Sequence, residues 1–256
     1  MGRIKKPVDL PADWSVISMD TVDSTNTVAM ELGEKDAPHG TVVVADRQTM
    51  GRGRLGREWV SSAGNIFMSI LLRPAVTPAD AALLTMTAAV ACARALREAT
   101  GLQVGIKWPN DLMVSGKKLG GILTEMKSRG PRILFAVVGI GINLNSGAAD
   151  FSPELGATAT SLGAETGREI LKTGLISSIL GEIRLWYDEM MQGNRDRILD
   201  EWRRLSHTLG RKVRITSANG SFEGLAETLD EEGRLIVRLP SGLWKVVSAG
   251  DVAMVR

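Results

Sequence analysis

Gly51-Arg52-Gly53-Arg54-Leu55-Gly56-Arg57-Glu58-Trp59 is the stretch on which the fold of this chain turns. Three glycines and three arginines in nine positions weaken both a helix and a central strand. Glycine lets backbone approach a ligand closely, and arginine brings forked donors suited to carboxylate or phosphate. The stretch is that of a flexible, anion-binding loop. Gly51, Gly53 and Gly56 also match the G-x-G-x-x-G spacing of a dinucleotide-binding turn, which would make the fold a doubly wound parallel sheet. That turn needs a strand directly before its first glycine and a helix directly behind its last. Here Asp46-Arg47-Gln48-Thr49-Met50 separates the apolar strand at 41–45 from Gly51, and residues 57–65 lack a helical period. No acidic residue follows a second apolar strand about 20 positions on, where a ribose would need one. The dinucleotide fold is set aside.

The whole composition narrows the function. A chain of 256 residues holds one large domain, or a large one and a small one. Hydrophobic residues make up 44%, and 31 basic side chains face 29 acidic ones, as in an ordinary soluble globular protein. A net charge of +2 argues against nucleic-acid binding as the main activity, despite the local arginines. Cys92 is the single cysteine, so an internal disulfide is ruled out. It lies in an Ala-rich stretch with no histidine or basic neighbour to activate it, which suits a buried structural thiol. His39 and His207 are too few for a Cys/His zinc site. The start, Met1 to Pro7, lacks the apolar core of a signal peptide, and no run approaches 18 apolar residues. The expectation is a cytoplasmic protein without a membrane segment.

Along the chain, residues 1–15 are expected to be an irregular lead-in. Asp23 or Ser24 caps a helix to about Gly33, and Thr41-Val42-Val43-Val44 is a buried strand. Residues 65–73 form another strand. Thr77-Pro78 opens a long helix to Thr100 that stops at Gly101, with threonine at the cap and proline in the first turn. A short strand at 103–107 leads into Trp108-Pro109-Asn110-Asp111, and Ser115-Gly116 joins strands 111–114 and 118–126 as a hairpin. Residues 132–140 are a further strand, 147–159 a loop of small residues, and 168–192 and 194–205 amphipathic helices. Gly210 marks a boundary. Beyond it come short alternating strands with turns at Asn219-Gly220, Glu231-Glu232-Gly233 and Ser241-Gly242, the pattern of a small barrel. The fold class is therefore α+β, a mixed β-sheet backed by helices, with domains at 1–209 and 210–256.

No Ser-His-Asp set, reactive cysteine, histidine cluster or G-x-x-x-x-G-K-[ST] phosphate loop stands out. Positive charge with glycine suits a reaction whose nucleophile belongs to the substrate, the protein supplying position and charge stabilisation. Four stretches then occur in order: Asp23-Ser24-Thr25-Asn26; the arginine loop; Lys107-Trp108-Pro109-Asn110-Asp111 with Lys118-Leu119-Gly120-Gly121-Ile122-Leu123-Thr124-Glu125; and Gly139-Ile140-Gly141-Ile142-Asn143-Leu144. Together they resemble the biotin–protein ligases (biotin–[acetyl-CoA-carboxylase] ligases) over nearly the whole chain.

The resemblance implies a catalytic domain like that of class II aminoacyl-tRNA synthetases, followed by an SH3-like barrel. It also implies the reaction: the biotin carboxylate attacks the α-phosphate of ATP to give biotinyl-5′-AMP, and a carrier lysine takes the biotin and releases AMP. By resemblance, Ser24, Thr25, Asn26 and Gln48 hold the biotin head, although Ser24-Thr25-Asn26 also serves as a plain helix cap. Arg52, Gly53 and Arg54 lie over carboxylate and phosphate. Lys107, Asn110 and Asn143 face the nucleotide, and Lys118 stands beside the reacting carboxylate and phosphate, with Arg54 as its catalytic companion. Lys118 is otherwise a surface lysine of a hairpin. Trp59 and Trp108 are core residues or ligand contacts, Trp59 leaning to a wall of the ATP site. Mg²⁺ is expected with ATP, and Asp111 either approaches it or caps the turn.

The partners implied are biotin, ATP and the biotin carboxyl carrier domain of acetyl-CoA carboxylase or a related carboxylase. No DNA partner is expected, because the Asp23-Ser24-Thr25-Asn26 motif comes too early to follow a helix-turn-helix domain; a homodimer is left open. In some relatives a tryptophan in the loop after G-x-G-x-N covers the adenine; here Phe151 is the only aromatic of 144–160. Two other functions compete. A lipoate–protein ligase would take a dithiolane head, for which the polar Ser24-Thr25-Asn26 and Gln48 have no use. A nucleic-acid-binding module would want a basic terminal barrel with exposed aromatics, but 211–256 is nearly balanced in charge and holds only Phe222 and Trp244.

Overall fold

The computed structural model describes residues 14–60, 64–147, 150–151, 156–217 and 220–255. The expected lead-in before Trp14, residues 148–149 and 152–155 of the 147–159 loop, and Asn219 of the Asn219-Gly220 turn lie outside the described residues.

A seven-stranded mixed sheet forms the larger part. β1 (Ser15–Val22) runs parallel to β2 (Thr41–Gln48), which is reached through α1 (Thr25–Glu34). β3 (Ile66–Leu72), β7 (Arg132–Ile142), β6 (Lys117–Arg129), β5 (Asp111–Val114) and β4 (Gly105–Lys107) follow in that spatial order, all antiparallel. Both faces are covered, so central strands are apolar without alternation. Val43 packs with Ala29, Leu71, Phe135 and Val137 under α1. Val42 and Val44 point the other way, into the main core with the long helix α2 (Ala81–Thr100).

Helix α2 starts where expected. Thr77 and Asp80 form a reciprocal capping box across the 3₁₀ turn Pro78–Asp80, and Gly101 closes the far end with φ of 75°. The stretch Pro78–Thr100 is long and apolar enough on average to cross a membrane, although Thr85, Thr87, Arg94 and Arg97 keep any unbroken apolar run short. Leu84, Val90, Cys92 and Leu96 show why: this is a core helix buried among the sheet and the helices α4 (Lys172–Met191) and α5 (Arg195–Arg204). Burial also pushes the Cys92 thiol up to about 12, in keeping with an inert structural cysteine.

Three local expectations need correction. β1 begins at Ser15, inside the supposed lead-in; only Val16 and Val22 are buried, and its hydrogen bonds come from the neighbouring strand, so no local pattern announced it. The helix expected from 168 begins at Lys172, because a separate short helix, α3 (Leu162–Thr166), ends at Gly167 with φ of 70°. Residues 103 and 104 stand outside the short strand Gly105–Lys107.

The C-terminal residues form a second antiparallel sheet: β8 (Lys212–Ser217), β9 (Gly220–Leu229), β10 (Leu235–Arg238), β11 (Trp244–Val247) and β12 (Asp251–Met254). Its order is β11-β10-β9-β8-β12, with β11 and β12 at the two edges. Val213, Ile215, Leu235 and Val237 from this sheet share one continuous apolar core with α2 and α5.

Candidate active site

A single cleft gathers most of the residues singled out from the sequence. Its floor is made by glycines. Gly139 and Gly141 are two apart on β7 and so face the same side, while Ile140 and Ile142 face the core. A Cβ at Gly139 would lie 2.0 Å from the Asn26 Oδ1, and one at Gly141 2.7 Å from the Trp59 ring. Gly121, the cross-strand partner of Gly141, lets the same ring approach from β6. The G-I-G-I pattern therefore makes one strand face a ligand floor and the other a core.

At one end of the cleft the polar side chains are neutral. The Thr25 N–H and hydroxyl both reach Gln48 Oε1, at 2.8 and 3.2 Å. Asn26 donates from Nδ2 to Glu125 Oε2 at 2.8 Å, a buried amide turned by a carboxylate. Ser69, fully buried, stands 2.7 Å from Thr25 Oγ1 and 2.6 Å from Asn26 Oδ1 and donates its single proton to one at a time. Ser69 is absent from the residues expected above. Its signal was present: one hydroxyl in the otherwise apolar run Ile66-Phe67-Met68-Ser69-Ile70-Leu71-Leu72. Ser24 caps α1 by its extended backbone without a side-chain bond, and it lines the cleft with Thr25 and Asn26.

The arginine loop lies across the cleft, with Arg52 at this end and Arg54 and Arg57 toward the other. Gly53 N–H donates to Arg57 O at 2.7 Å, Trp59 N–H to Gly51 O at 2.9 Å, and Arg54–Gly56 make a 3₁₀ turn. Leu55 sits at the tip, 71% exposed, with φ of 57°. Arg52 donates to Glu125 Oε2 at 2.6 Å, so the oxygen that holds Asn26 also holds the loop. Arg54 donates to Asn110 Oδ1 at 3.1 Å. Burial pulls the Arg54 guanidinium below its ordinary value, with Asp111 opposing and Arg57 adding to the shift.

The other end is a charge cluster. Asp111 receives Lys118 Nζ at 2.6 Å on one oxygen and Lys107 Nζ at 3.1 Å on the other. Burial pushes its carboxyl up, but the two ammonium groups outweigh burial and hold it below the ordinary carboxylate range. Lys118 also lies 5.4 Å from the centre of the Trp59 ring, which walls the cleft. Asn110 is locked by its amide donating to Ile122 O at 2.7 Å. With both Asp111 oxygens taken by lysines, the carboxylate offers little to a metal. Among the described residues no group of three His, Cys, Asp or Glu side chains comes together.

One expected residue stands elsewhere. Asn143 is buried and does not line the cleft; its amide donates to Thr160 O at 3.0 Å. Trp108, expected as core or ligand contact, is a buried core residue that also lines the cleft. Its indole N–H donates to Gly233 O at 3.1 Å, tying the motif to the turn after β9. The sequence reading missed the wall supplied by the second sheet: Thr216, Asp251, Val252 and Ala253 line the cleft, and Asp251 is ion-paired with Arg57. Nothing in residues 211–256 taken alone marks these positions.

The family described as "Biotin/lipoate A/B protein ligase family" matches residues 18–143, and "Biotin protein ligase C terminal domain" matches 208–255. The chain is 35% identical to the biotin–[acetyl-CoA-carboxylase] ligase of Paracoccus denitrificans, across 90% of this chain and 96% of that one. It is 41% identical to the bifunctional ligase/repressor BirA of Bacillus subtilis, across 91% of this chain and 72% of that one. Among solved structures, the biotin protein ligase from Aquifex aeolicus in complex with biotin and ATP superposes with a TM-score of 0.81. The identity there is 29%, covering 94% of this chain and 98% of that one.

Proposed function

We infer, from the premise that this chain belongs to the biotin/lipoate A/B protein ligase family, how its cleft carries out its reaction. The protein is an enzyme, an ATP-dependent biotin–protein ligase.

The observation that carries the reading is the polarity of the cleft. One end offers neutral donors and acceptors, and the other gathers Arg54, Arg57, Lys107 and Lys118 against Glu58, Asp111 and Asp251. A substrate with an uncharged hydrogen-bonding head and an anionic tail fits that gradient, and biotin is such a molecule. Thr25, Asn26 and Gln48 take the ureido ring, with Ser24 beside them and Ser69 fixing their rotamers. A dithiolane head makes no hydrogen bonds with these polar side chains, so this end of the cleft offers lipoate none of the directed contacts it offers a ureido ring.

In the first step a carboxylate oxygen of biotin forms a bond to the α-phosphorus of ATP, and the bond to the bridging oxygen of pyrophosphate breaks. Negative charge gathers where Lys118 and Arg54 converge, with Lys107 and Asn110 toward the phosphates and Trp59 excluding water. Lys118 is a compact ammonium already placed by Asp111, so little reorganisation precedes the step. Arg52, Gly53 and Arg54 cover the mixed anhydride and protect it from hydrolysis. In the second step a carrier lysine amine bonds to the acyl carbon and AMP leaves. Mg²⁺ travels with ATP, held by the phosphates and water, since it usually keeps several waters and few protein ligands. Residues 1–209 would do the chemistry and 210–256 would form the second jaw. The acceptor is the biotin carboxyl carrier domain of acetyl-CoA carboxylase or a related carboxylase.

The test is incubation with ATP, Mg²⁺ and labelled biotin or labelled lipoate, followed by addition of a carrier domain. An acid-labile adenylate from biotin that passes to the carrier is expected. An adenylate formed from lipoate and not from biotin would overturn the head assignment.

A further inference from the structure

The short segment 158–160 leaves the second loop and runs beside Lys118 as an added strand. Lys118 N–H donates to Thr158 O at 2.7 Å, and Lys118 O accepts from Thr160 N–H at 2.9 Å, a parallel bridge centred on Ala159. On its other side Lys118 sits at a β-bulge. Met113 faces Lys118 while Leu112 faces Gly120, so Leu119 is the extra residue. A bulge re-aims a side chain and loosens the ladder locally. The direction of the Lys118 side chain is therefore set largely by where 158–160 lies.

That segment is pinned through Thr160, which is buried. Its carbonyl accepts from Asn143, and its hydroxyl donates to Glu165 Oε1 at 2.7 Å. The second oxygen of Glu165 accepts from Ser115 Oγ at 2.7 Å. Ser115 stands at φ of 50° in the turn that delivers the chain to Lys118. One carboxylate on α3 thus holds both the strand that enters Lys118 and the segment paired against it.

We propose that Glu165 is a positioning residue for adenylate formation, aiming Lys118 at the reacting centre through Thr160 and Ser115. Among the described residues, its hydrogen-bond partners Ser115, Thr160 and Ser161 do not line the cleft, so its effect passes through Lys118. The inference rests on the reading of Lys118 as the charge that acts on the carboxylate–phosphate junction.

The experiment is single-turnover adenylate formation with biotin and ATP saturating, for Glu165→Ala, Glu165→Gln and Lys118→Ala, and for the Ala–Ala double variant. Glu165→Ala is expected to slow the step by up to about 10²-fold, the size of a small misplacement remote from the chemistry, with biotin Kd unchanged. Glutamine is expected to restore most of the rate, since its carbonyl still accepts from Thr160 and its amide donates to Ser115. In the Lys118→Ala background, Glu165→Ala should add nothing, because residues acting as one unit are not additive. Multiplicative slowing in the double variant, a normal rate in Glu165→Ala, or no rescue by glutamine would each overturn the proposal. If Glu165→Ala does not fold, Thr160→Val removes one of the two ties with little change of shape and must show the same non-additivity. A normal rate in Lys118→Ala alone would instead overturn the Lys118 reading, and this inference with it.

Discussion

Gly139→Ala is the sharpest perturbation of the cleft floor. The new methyl carbon would fall 2.0 Å from Asn26 Oδ1 and 2.7 Å from its Cγ, far inside van der Waals contact. Neither wall yields easily: β7 is a central strand between β3 and β6, and Asn26 is 4% exposed at the start of α1. Asn26 must therefore leave its rotamer. In doing so it gives up the bond to Glu125 and the contact with Ser69. A hydrogen bond to a charged group contributes about 1.5–3 kcal/mol and a neutral one about 0.5–1.5, so the native arrangement loses about 2–4.5 kcal/mol. If that arrangement is what biotin binds, its affinity falls by about 30- to 1,600-fold at 1.4 kcal/mol per factor of ten. Calorimetric titration of biotin, with a thermal melt and a nucleotide titration as controls, reads this directly. ATP binding should be nearly unchanged, because the charge cluster lies at the other end. A variant that is folded and binds biotin as well as the parent would refute the assignment of Asn26 to the biotin head.

Three further outcomes follow from the same geometry. Lys118→Ala should lower the single-turnover adenylation rate by about 10²–10³, the loss of one preorganised charge contact of about 2.7–4 kcal/mol, with biotin affinity little altered; a normal rate with weakened biotin binding would confine Lys118 to the ground state. Arg54→Gly removes the guanidinium bonded to Asn110, so the enzyme should release adenylate that labels bystander lysines, and a variant that forms no adenylate at all would move Arg54 from retention to chemistry. Glu201 is hydrogen-bonded first by Arg204 and also by Arg94, and despite opposing burial its carboxyl lies at about 2, down from 4.5. A depressed value means that its stabilisation is complete above pH 4.5 and is lost as pH falls toward about 2. Glu201→Gln should thus melt lower than the parent at neutral pH and converge with it in acid, whereas a constant gap across the range would rule out this linkage.

The elements that the sequence made legible are those whose cause is local. Thr77-Pro78 and Gly101 announce α2 because a cap and a left-handed stop act within a few residues. The spacing of Arg52, Arg54 and Arg57 announces an anion loop, whereas the floor made by Gly139 and Gly141 shows only once Asn26 and Trp59 are packed against β7. β1 was invisible because an edge strand takes its hydrogen bonds from a neighbour that arrives two dozen residues later. The motif named Asn143 but not its partner, Thr160 O, which only the fold brings to it.

Composition, periodicity and motif spacing by themselves determined an α+β chain and an arginine-glycine loop, and the resemblance of four motifs to the biotin–protein ligases implied the polar and cationic residues of its site. Tertiary packing alone decided how those residues share partners. It set Asp111 between Lys107 and Lys118, put one oxygen of Glu125 against both Asn26 and Arg52, and brought Asp251 back to Arg57. Those pairings join residues far apart in the chain, and a charge finds its partner only after the core has closed. The net attraction of such pairs is small beside the burial that positions them, so no local pattern encodes them.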